Sequence, residues 1–111
     1  MTENQIHQAV VWHLQARGVP GLLFVHVPNQ VRAPIQYQAQ LNRMGRRKGC
    51  ADLLLWHNGH SYALELKTEK GKITPEQGLF GNDFEGAGGE WAWAKGLDSA
   101  LRMLTEWGLI Q

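Results

Sequence analysis

Two apolar segments separated by a tight-turn signal constrain the fold of this chain more than any other feature. The segments ADLLLW (51–56) and SYALELKT (61–68) flank the dipeptide Asn58-Gly59. Asn-Gly between two β-prone segments is the strongest short-range signal for a β-hairpin, because both residues tolerate the positive φ angles of the turn. The sequence therefore predicts two adjacent antiparallel strands.

Hydrophobic periodicity and capping residues predict the remaining elements. Helices are predicted at 3–17, at about 35–44, from 74 to before the glycine-rich segment 86–89 and at 97–107, with a buried strand at 22–27 and a short strand at 91–95. This order of elements predicts an α/β fold with a mixed sheet flanked by helices.

The length and composition of the chain exclude several classes of protein. A chain of 111 residues with 43% hydrophobic residues has room for one core, so residues 1–111 are predicted to form a single stand-alone domain. Cys50 is the only cysteine, which excludes an intramolecular disulfide framework and a cysteine-rich zinc site. The sequence has no signal-like segment and no apolar run of the roughly 18 residues of a membrane span. A cytoplasmic protein without a membrane partner is expected.

Three charged residues of the hairpin form a candidate catalytic centre. Because side chains alternate along a strand, Glu65 and Lys67 share one face, and antiparallel pairing brings Asp52 beside them. Two neighbouring carboxylates repel unless a cation lies between them, and hard ions such as Mg²⁺ take oxygen ligands. The pattern predicts metal-assisted phosphodiester hydrolysis, with Lys67 near the nucleophile. The alternative is an ordinary ion pair of Glu65 and Lys67 on a solvated strand face.

Five short motifs accompany this centre, and together they resemble one known family. In chain order they are Glu3, His26-Val27-Pro28-Asn29, Gly49-Cys50-Ala51-Asp52-Leu53, Glu65-Leu66-Lys67 and Thr74-Pro75-Glu76-Gln77. They resemble the VRR-NUC domain family of the PD-(D/E)xK nuclease superfamily, over most of the chain. Ala51 stands where the family usually has proline, and this difference removes no ligand.

The resemblance implies a restriction-endonuclease-like core and a role for each matching residue. It implies that Asp52 and Glu65 bind the metal, that Leu66 contributes its backbone carbonyl, and that Lys67 serves the attacking water. Two further residues would complete the pocket, Glu3 as a metal ligand and Gln77 as a catalytic residue.

Several of these residues also have ordinary structural explanations. Glu3 suits the first turn of a helix, where an acid complements the helix dipole. Gln77 suits the third position of a capping box with Thr74. His26 can satisfy a local hydrogen bond, and Asn29 can form a turn after a proline.

Basic residues crowd the segment before Asp52, although the net charge of the chain is only +1. They form either an ordinary solvated face or a surface that binds the DNA backbone, and the second interpretation is preferred because it places phosphate-binding charge next to the metal. The predicted nucleic-acid-binding residues are Arg32, Arg43, Arg46, Arg47 and Lys48.

Taken with the resemblance, the centre predicts a Mg²⁺- or Mn²⁺-dependent endodeoxyribonuclease. Stand-alone members of the family imply a homodimer that cuts branched DNA such as four-way junctions. One alternative is a catalytically silent nucleic-acid-binding module with the same fold. Another is a metal-dependent hydrolase of small phosphoesters, which the absence of a glycine-rich phosphate loop from the sequence disfavours.

Overall fold

The structure is a computed structural model that describes residues 1–28 and 33–111. Its elements follow the predicted order of helix, strand, helix, strand, strand, helix, strand and helix. They are α1 (Glu3–Arg17), β1 (Leu23–His26), α2 (Ile35–Arg43), β2 (Leu53–His57), β3 (His60–Lys67), α3 (Pro75–Gly86), β4 (Glu90–Lys95) and α4 (Leu97–Glu106).

The four strands of the described residues form one sheet in the order β1-β2-β3-β4. The β1–β2 and β2–β3 pairs are antiparallel and the β3–β4 pair is parallel, so the sheet is mixed. The predicted hairpin is β2–β3, with Asn58 and Gly59 at φ angles of 50° and 78° in its turn. The predicted α/β fold class is confirmed.

The hydrophobic core lies on one face of this sheet. Helix α1 buries Ile6, Val10 and Leu14 there, against β-strand residues that include Leu53 and Leu64. Helix α4 packs against the same core through buried positions such as Leu104. With this face filled by apolar side chains, the alternating residues of β3 are directed to the opposite face.

Helix α3 packs against β4 on the opposite face of the sheet, close to the hairpin. The approach depends on a glycine, because a Cβ atom on Gly81 would lie 2.7 Å from the Cε2 atom of Trp91. Thr74 caps the helix with its side chain, and Pro75 occupies the first turn. The start of α3 therefore has a fixed position near the charged end of β3.

The predicted burial of the first strand is wrong. The strand forms, but β1 is an edge strand, and Leu23 and Val25 are 58% and 41% exposed. Only one face of β1 reaches the core, through Phe24. An unbroken apolar run does not distinguish a central strand from an edge strand, because the sequence of the strand does not indicate which other elements pack against it.

The predicted second helix forms, but it contributes nothing to the core. None of the residues of α2 (Ile35–Arg43), all of which the structure describes, is buried.

Among the described residues, no helix is both long enough and apolar enough to cross a membrane.

Candidate active site

The β2–β3 pairing places Asp52 beside Glu65. Asp52 directly precedes β2, one position beyond the register pair of Leu53 and Leu64. Its Oδ2 atom accepts a hydrogen bond of 2.7 Å from the Leu66 backbone N–H. Its backbone carbonyl accepts a second bond, of 2.9 Å, from the N–H of Val27. The carboxylate of Asp52 is thus fixed by a contact to the neighbouring strand, and its backbone by a contact to the segment after β1.

Glu65 and Lys67 are buried side chains, with exposed fractions of only 3% and 9%. The Lys67 Nζ atom lies 3.9 Å from Glu65 Oε1. An ordinary ion pair on a solvated strand face is therefore the wrong interpretation of these two residues. A buried ion pair costs desolvation energy, so a pair of this kind is weak evidence for stability and points to a function.

Gln77 contacts Glu65 while it also caps its own helix. Its Oε1 atom accepts a hydrogen bond of 2.8 Å from the Thr74 N–H, which completes the capping box. Its Nε2 atom donates a bond of 2.8 Å to Glu65 Oε1. The structural and functional explanations of Gln77 are therefore compatible, because its amide has a donor and an acceptor to use.

The second carboxylate oxygen of Glu65, Oε2, is buried, and no described residue donates a hydrogen bond to it. Burial, the charge of Asp52 and a side-chain contact with Asp52 raise the pKa of Glu65 to about 8, against an opposing effect of Lys67. A buried acceptor without a partner costs free energy. Two adjacent carboxylates, one with an unpaired oxygen, fit a hard divalent cation with oxygen ligands.

Glu3 lies near this pair, and its role as a metal ligand stays a prediction. Its negative charge contributes to the raised pKa of Glu65, and it lines the same cavity. Among residues 1–28 and 33–111, however, no group of three or more His, Cys, Asp or Glu side chains is arranged to hold a metal ion. In this structure, Glu3 acts on the centre through its charge.

The centre lies in the wall of an open cavity of about 910 Å³. Its walls come from the start of α1, the end of β1, the loop before β2, the end of β3 and the start of α3. The charged and polar residues that line it include Glu3, His7, His26, Lys48, Asp52, Glu65, Lys67 and Gln77. The structure thus brings the three residues of the predicted centre together with both additional pocket residues.

Two histidines form one wall of the cavity, and the sequence predicted a possible role for only one of them. The Nδ1 atom of His26 lies 3.0 Å from the backbone carbonyl of Asp52, which agrees with a local hydrogen bond. The ring of His7 packs edge-on against it at 4.3 Å, and burial lowers the pKa of His7. The spacing of four residues from Glu3 places His7 on the same side of α1, a signal that was available in the sequence.

The basic segment before β2 forms ion pairs with acidic residues of α3. Arg47 pairs with Asp83 at 2.7 Å, and Lys48 lies 3.7 Å from Glu76. Arg46 donates a hydrogen bond to the Asn42 side chain. The remaining predicted residues are Arg43, in the last turn of α2, and Arg32, which with Asn29 lies outside the described residues.

Solved structures share this architecture. One described as "VRR_NUC domain protein" superposes with a TM-score of 0.79 and 19% identity, over 100% of this chain and 97% of the other. The chain has the VRR_NUC fold. A second structure, described as "VRR_NUC domain", has a TM-score of 0.65 and 20% identity, over 96% of this chain and 97% of the other. The resemblance inferred from the motifs is confirmed for the fold.

Comparisons of sequence alone give no further match. No family model matches the chain, and no curated protein matches it. Within the VRR_NUC fold, the roles of individual residues therefore rest on the geometry of the site.

The raised pKa of Glu65 predicts a pH-dependent stability. Between its ordinary pKa of 4.5 and a folded-state value of about 8, the folded protein holds a proton that the unfolded chain releases. The free energy of unfolding should therefore fall as pH rises through this window, by ~1.4 kcal/mol per pH unit from this one group. Denaturant unfolding of metal-free protein measures the slope.

Other groups titrate in the same window, so Glu65→Gln is the control for this prediction. Glutamine keeps the size of the side chain and cannot titrate. We expect a flatter pH dependence for Glu65→Gln than for wild type. Equal slopes for the two proteins would show that Glu65 has an ordinary pKa.

Proposed function

We propose that this chain is a Mg²⁺- or Mn²⁺-dependent endodeoxyribonuclease that acts as one domain over residues 1–111. The observation that carries the proposal is the buried Oε2 atom of Glu65, to which no described residue donates a hydrogen bond, although Glu65 lies beside Asp52 and lines the cavity. A bound divalent cation would neutralise this carboxylate pair. The VRR_NUC fold agrees with a nuclease.

The residues of the centre have separate roles in this proposal. Asp52 and Glu65 hold the ion, with the backbone carbonyl of Leu66 as a third donor. Gln77 binds Oε1 of Glu65 and so leaves Oε2 for the ion. A divalent ion bound there lowers the pKa of a water molecule and polarises a phosphoryl oxygen.

Lys67 supplies the positive charge that the carboxylates lack. Its ammonium group is held within 3.9 Å of Glu65 by the strand that carries both residues. A buried cation in this position orients an attacking water and stabilises the negative charge that develops on the phosphate. Because Lys67 is almost fully buried, its charge is weakly screened by solvent.

The proposed substrate is DNA, including branched forms such as four-way junctions, and the proposed assembly is a homodimer. Lys48, which lines the cavity, would contact phosphates there. The other predicted residues, Arg32, Arg43, Arg46 and Arg47, would bind further phosphates. The charge of these residues and the open cavity support the proposed binding of DNA. In a catalytically silent binding module, buried carboxylates that repel each other would cost stability and would not help to bind DNA.

Replacement of Lys67 separates cutting from binding. We expect Lys67→Ala to lower the rate of DNA cleavage by about 10²-fold or more, because charge stabilisation in a buried site has effects of this size. Affinity for DNA should stay near the wild-type value. Supercoiled plasmid and a synthetic four-way junction, each with Mn²⁺, provide the cleavage assay, and gel shifts without metal provide the affinity.

Lys70→Ala is the matched control, since Lys70 is an exposed lysine in the loop that follows β3. Its cleavage rate should equal that of wild type. Equal cutting by Lys67→Ala and Lys70→Ala would remove Lys67 from the mechanism. Preference for the junction over a linear duplex of the same sequence tests the proposed substrate.

A further inference from the structure

Helix α2 has no position that is buried against the residues that the structure describes. It has nine residues and none of them is buried. Its surface shows large apolar side chains, with Ile35 85% exposed, Tyr37 48% exposed and Met44, directly after the helix, 75% exposed. Isolated helices shorter than about 12 residues are marginal in water. An element of this kind gains stability when something covers it.

The charge around α2 indicates what covers it. The sequence contains no Asp or Glu between Glu3 and Asp52, while four cations lie at positions 43–48. Among the described residues, Arg47 and Lys48 pair with acids of α3, whereas Arg43 and Arg46 form no ion pair. A segment that carries unpaired cations and no acids complements the phosphates of a nucleic acid.

The same positive charge disfavours a second copy of the chain as the molecule that covers α2. A symmetric contact through α2 would bring the cations of two copies together, with no acid in either segment to offset them. Like charges juxtaposed at an interface cost free energy. Nucleic acid is therefore the better match for this helix.

Helix α2 lies in the sequence between two residues that line the cavity, Pro28 and Lys48. This connection makes α2 a candidate for contact with a nucleic acid that binds at the cavity. The exposed ring of Tyr37 offers it a flat apolar surface.

We propose that α2 binds bases that a break in the duplex leaves unstacked, with Tyr37 stacked on one base and Arg43 and Arg46 on nearby phosphates. The proposal rests on the proposed function, because it assumes that DNA occupies the cavity. An intact duplex presents phosphates and base edges, whereas unpaired bases present ring faces that stack on aromatic side chains. Tyr37 is thus a specificity-determining residue.

Replacement of Tyr37 tests this proposal. Two labelled DNAs of equal length serve as probes, one fully paired and one with a central run of unpaired bases. Fluorescence anisotropy without divalent metal measures binding alone. We expect Tyr37→Ala to weaken binding to the unpaired probe about tenfold, as for the loss of one stacked base, and to leave duplex binding within about twofold. Trp12→Ala, at another exposed aromatic residue, should change neither.

Three results would overturn the proposal. One is equal binding of the two probes by wild type, and another is an equal effect of Tyr37→Ala on both. The third is a dimeric wild type and a monomeric Tyr37→Ala in sedimentation, which would assign α2 to a contact between copies. Because binding is measured without cutting, a protein that prefers unpaired bases but never cleaves DNA would refute the nuclease and support the role of α2.

Discussion

Asp52→Asn is expected to abolish metal-dependent cutting while the protein stays folded. Asparagine keeps a carbonyl oxygen that can accept the hydrogen bond from the Leu66 N–H, so the local backbone should not move. It lacks the negative charge that, with Glu65, would hold the ion. We expect the initial rate of plasmid cleavage to fall by about 10³-fold or more, which exceeds the effect of removing a single charge-stabilising donor.

The same substitution should lower the cleavage rate without lowering the stability of the folded protein. The charge of Asp52 is one cause of the raised pKa of Glu65, so its removal relieves a repulsion in the metal-free protein. We expect Asp52→Asn to melt at or above the wild-type temperature near neutral pH, and to lose the stabilisation that Mn²⁺ gives the wild type. A variant that binds Mn²⁺ and cuts within tenfold of the wild-type rate would contradict the assignment of Asp52.

Gly49→Ala is expected to be among the most destabilising single changes in the chain. Gly49 has a φ of +87°, and a Cβ atom there would collide with the backbone carbonyl of Glu76 and lie 2.8 Å from the amide nitrogen of Gln77. The left-handed backbone costs about 1–2 kcal/mol with a side chain, and the collision adds about 1–3 kcal/mol. Denaturant unfolding should show a loss of about 2–5 kcal/mol.

Gly45→Ala provides a matched control for this substitution. Gly45 has a similar φ of +100°, but a Cβ atom there would meet nothing within 4 Å. The free energy of unfolding of Gly45→Ala should fall only by the cost of a left-handed backbone with a side chain, about 1–2 kcal/mol. The difference between the two variants isolates the contact of Gly49 with the start of α3. Equal losses of stability in the two variants would show that α3 can move away from residue 49 without a cost in free energy.

Gly49→Ala should also impair activity in the molecules that remain folded. The collision is with the first turn of α3, which carries Gln77 and its hydrogen bond to Glu65. A displaced first turn would release Glu65 from that bond. Gly45→Ala has no such connection with the centre, so its specific activity should be unchanged.

Local patterns were sufficient to predict the sheet and the central residues of the site. Asn58-Gly59 determined the hairpin, and the alternation along β3 assigned Glu65 and Lys67 to one face because the period of a strand is fixed. Antiparallel pairing then placed Asp52 next to them. These inferences succeeded because each depends on neighbours in the sequence or on one hairpin.

Features that depend on distant contacts could not be predicted in this way. The exposure of Val25 depends on whether another element covers that face of β1, and the lack of burial in α2 likewise depends on distant packing. The dual role of Gln77 requires α3 to lie across β3. The unpaired oxygen of Glu65 is a property of the assembled cavity, and no pattern in the sequence indicates it.

The most direct test of the proposed metal-dependent centre is DNA cleavage by wild type and Asp52→Asn, measured side by side. Supercoiled plasmid is incubated with each protein in Mn²⁺, in EDTA, and in EDTA followed by excess Mn²⁺. The account predicts cutting by wild type with Mn²⁺, none in EDTA, recovery after Mn²⁺ is restored, and no detectable cutting by Asp52→Asn. Wild-type protein that cuts equally well in EDTA, or that never cuts, would contradict it.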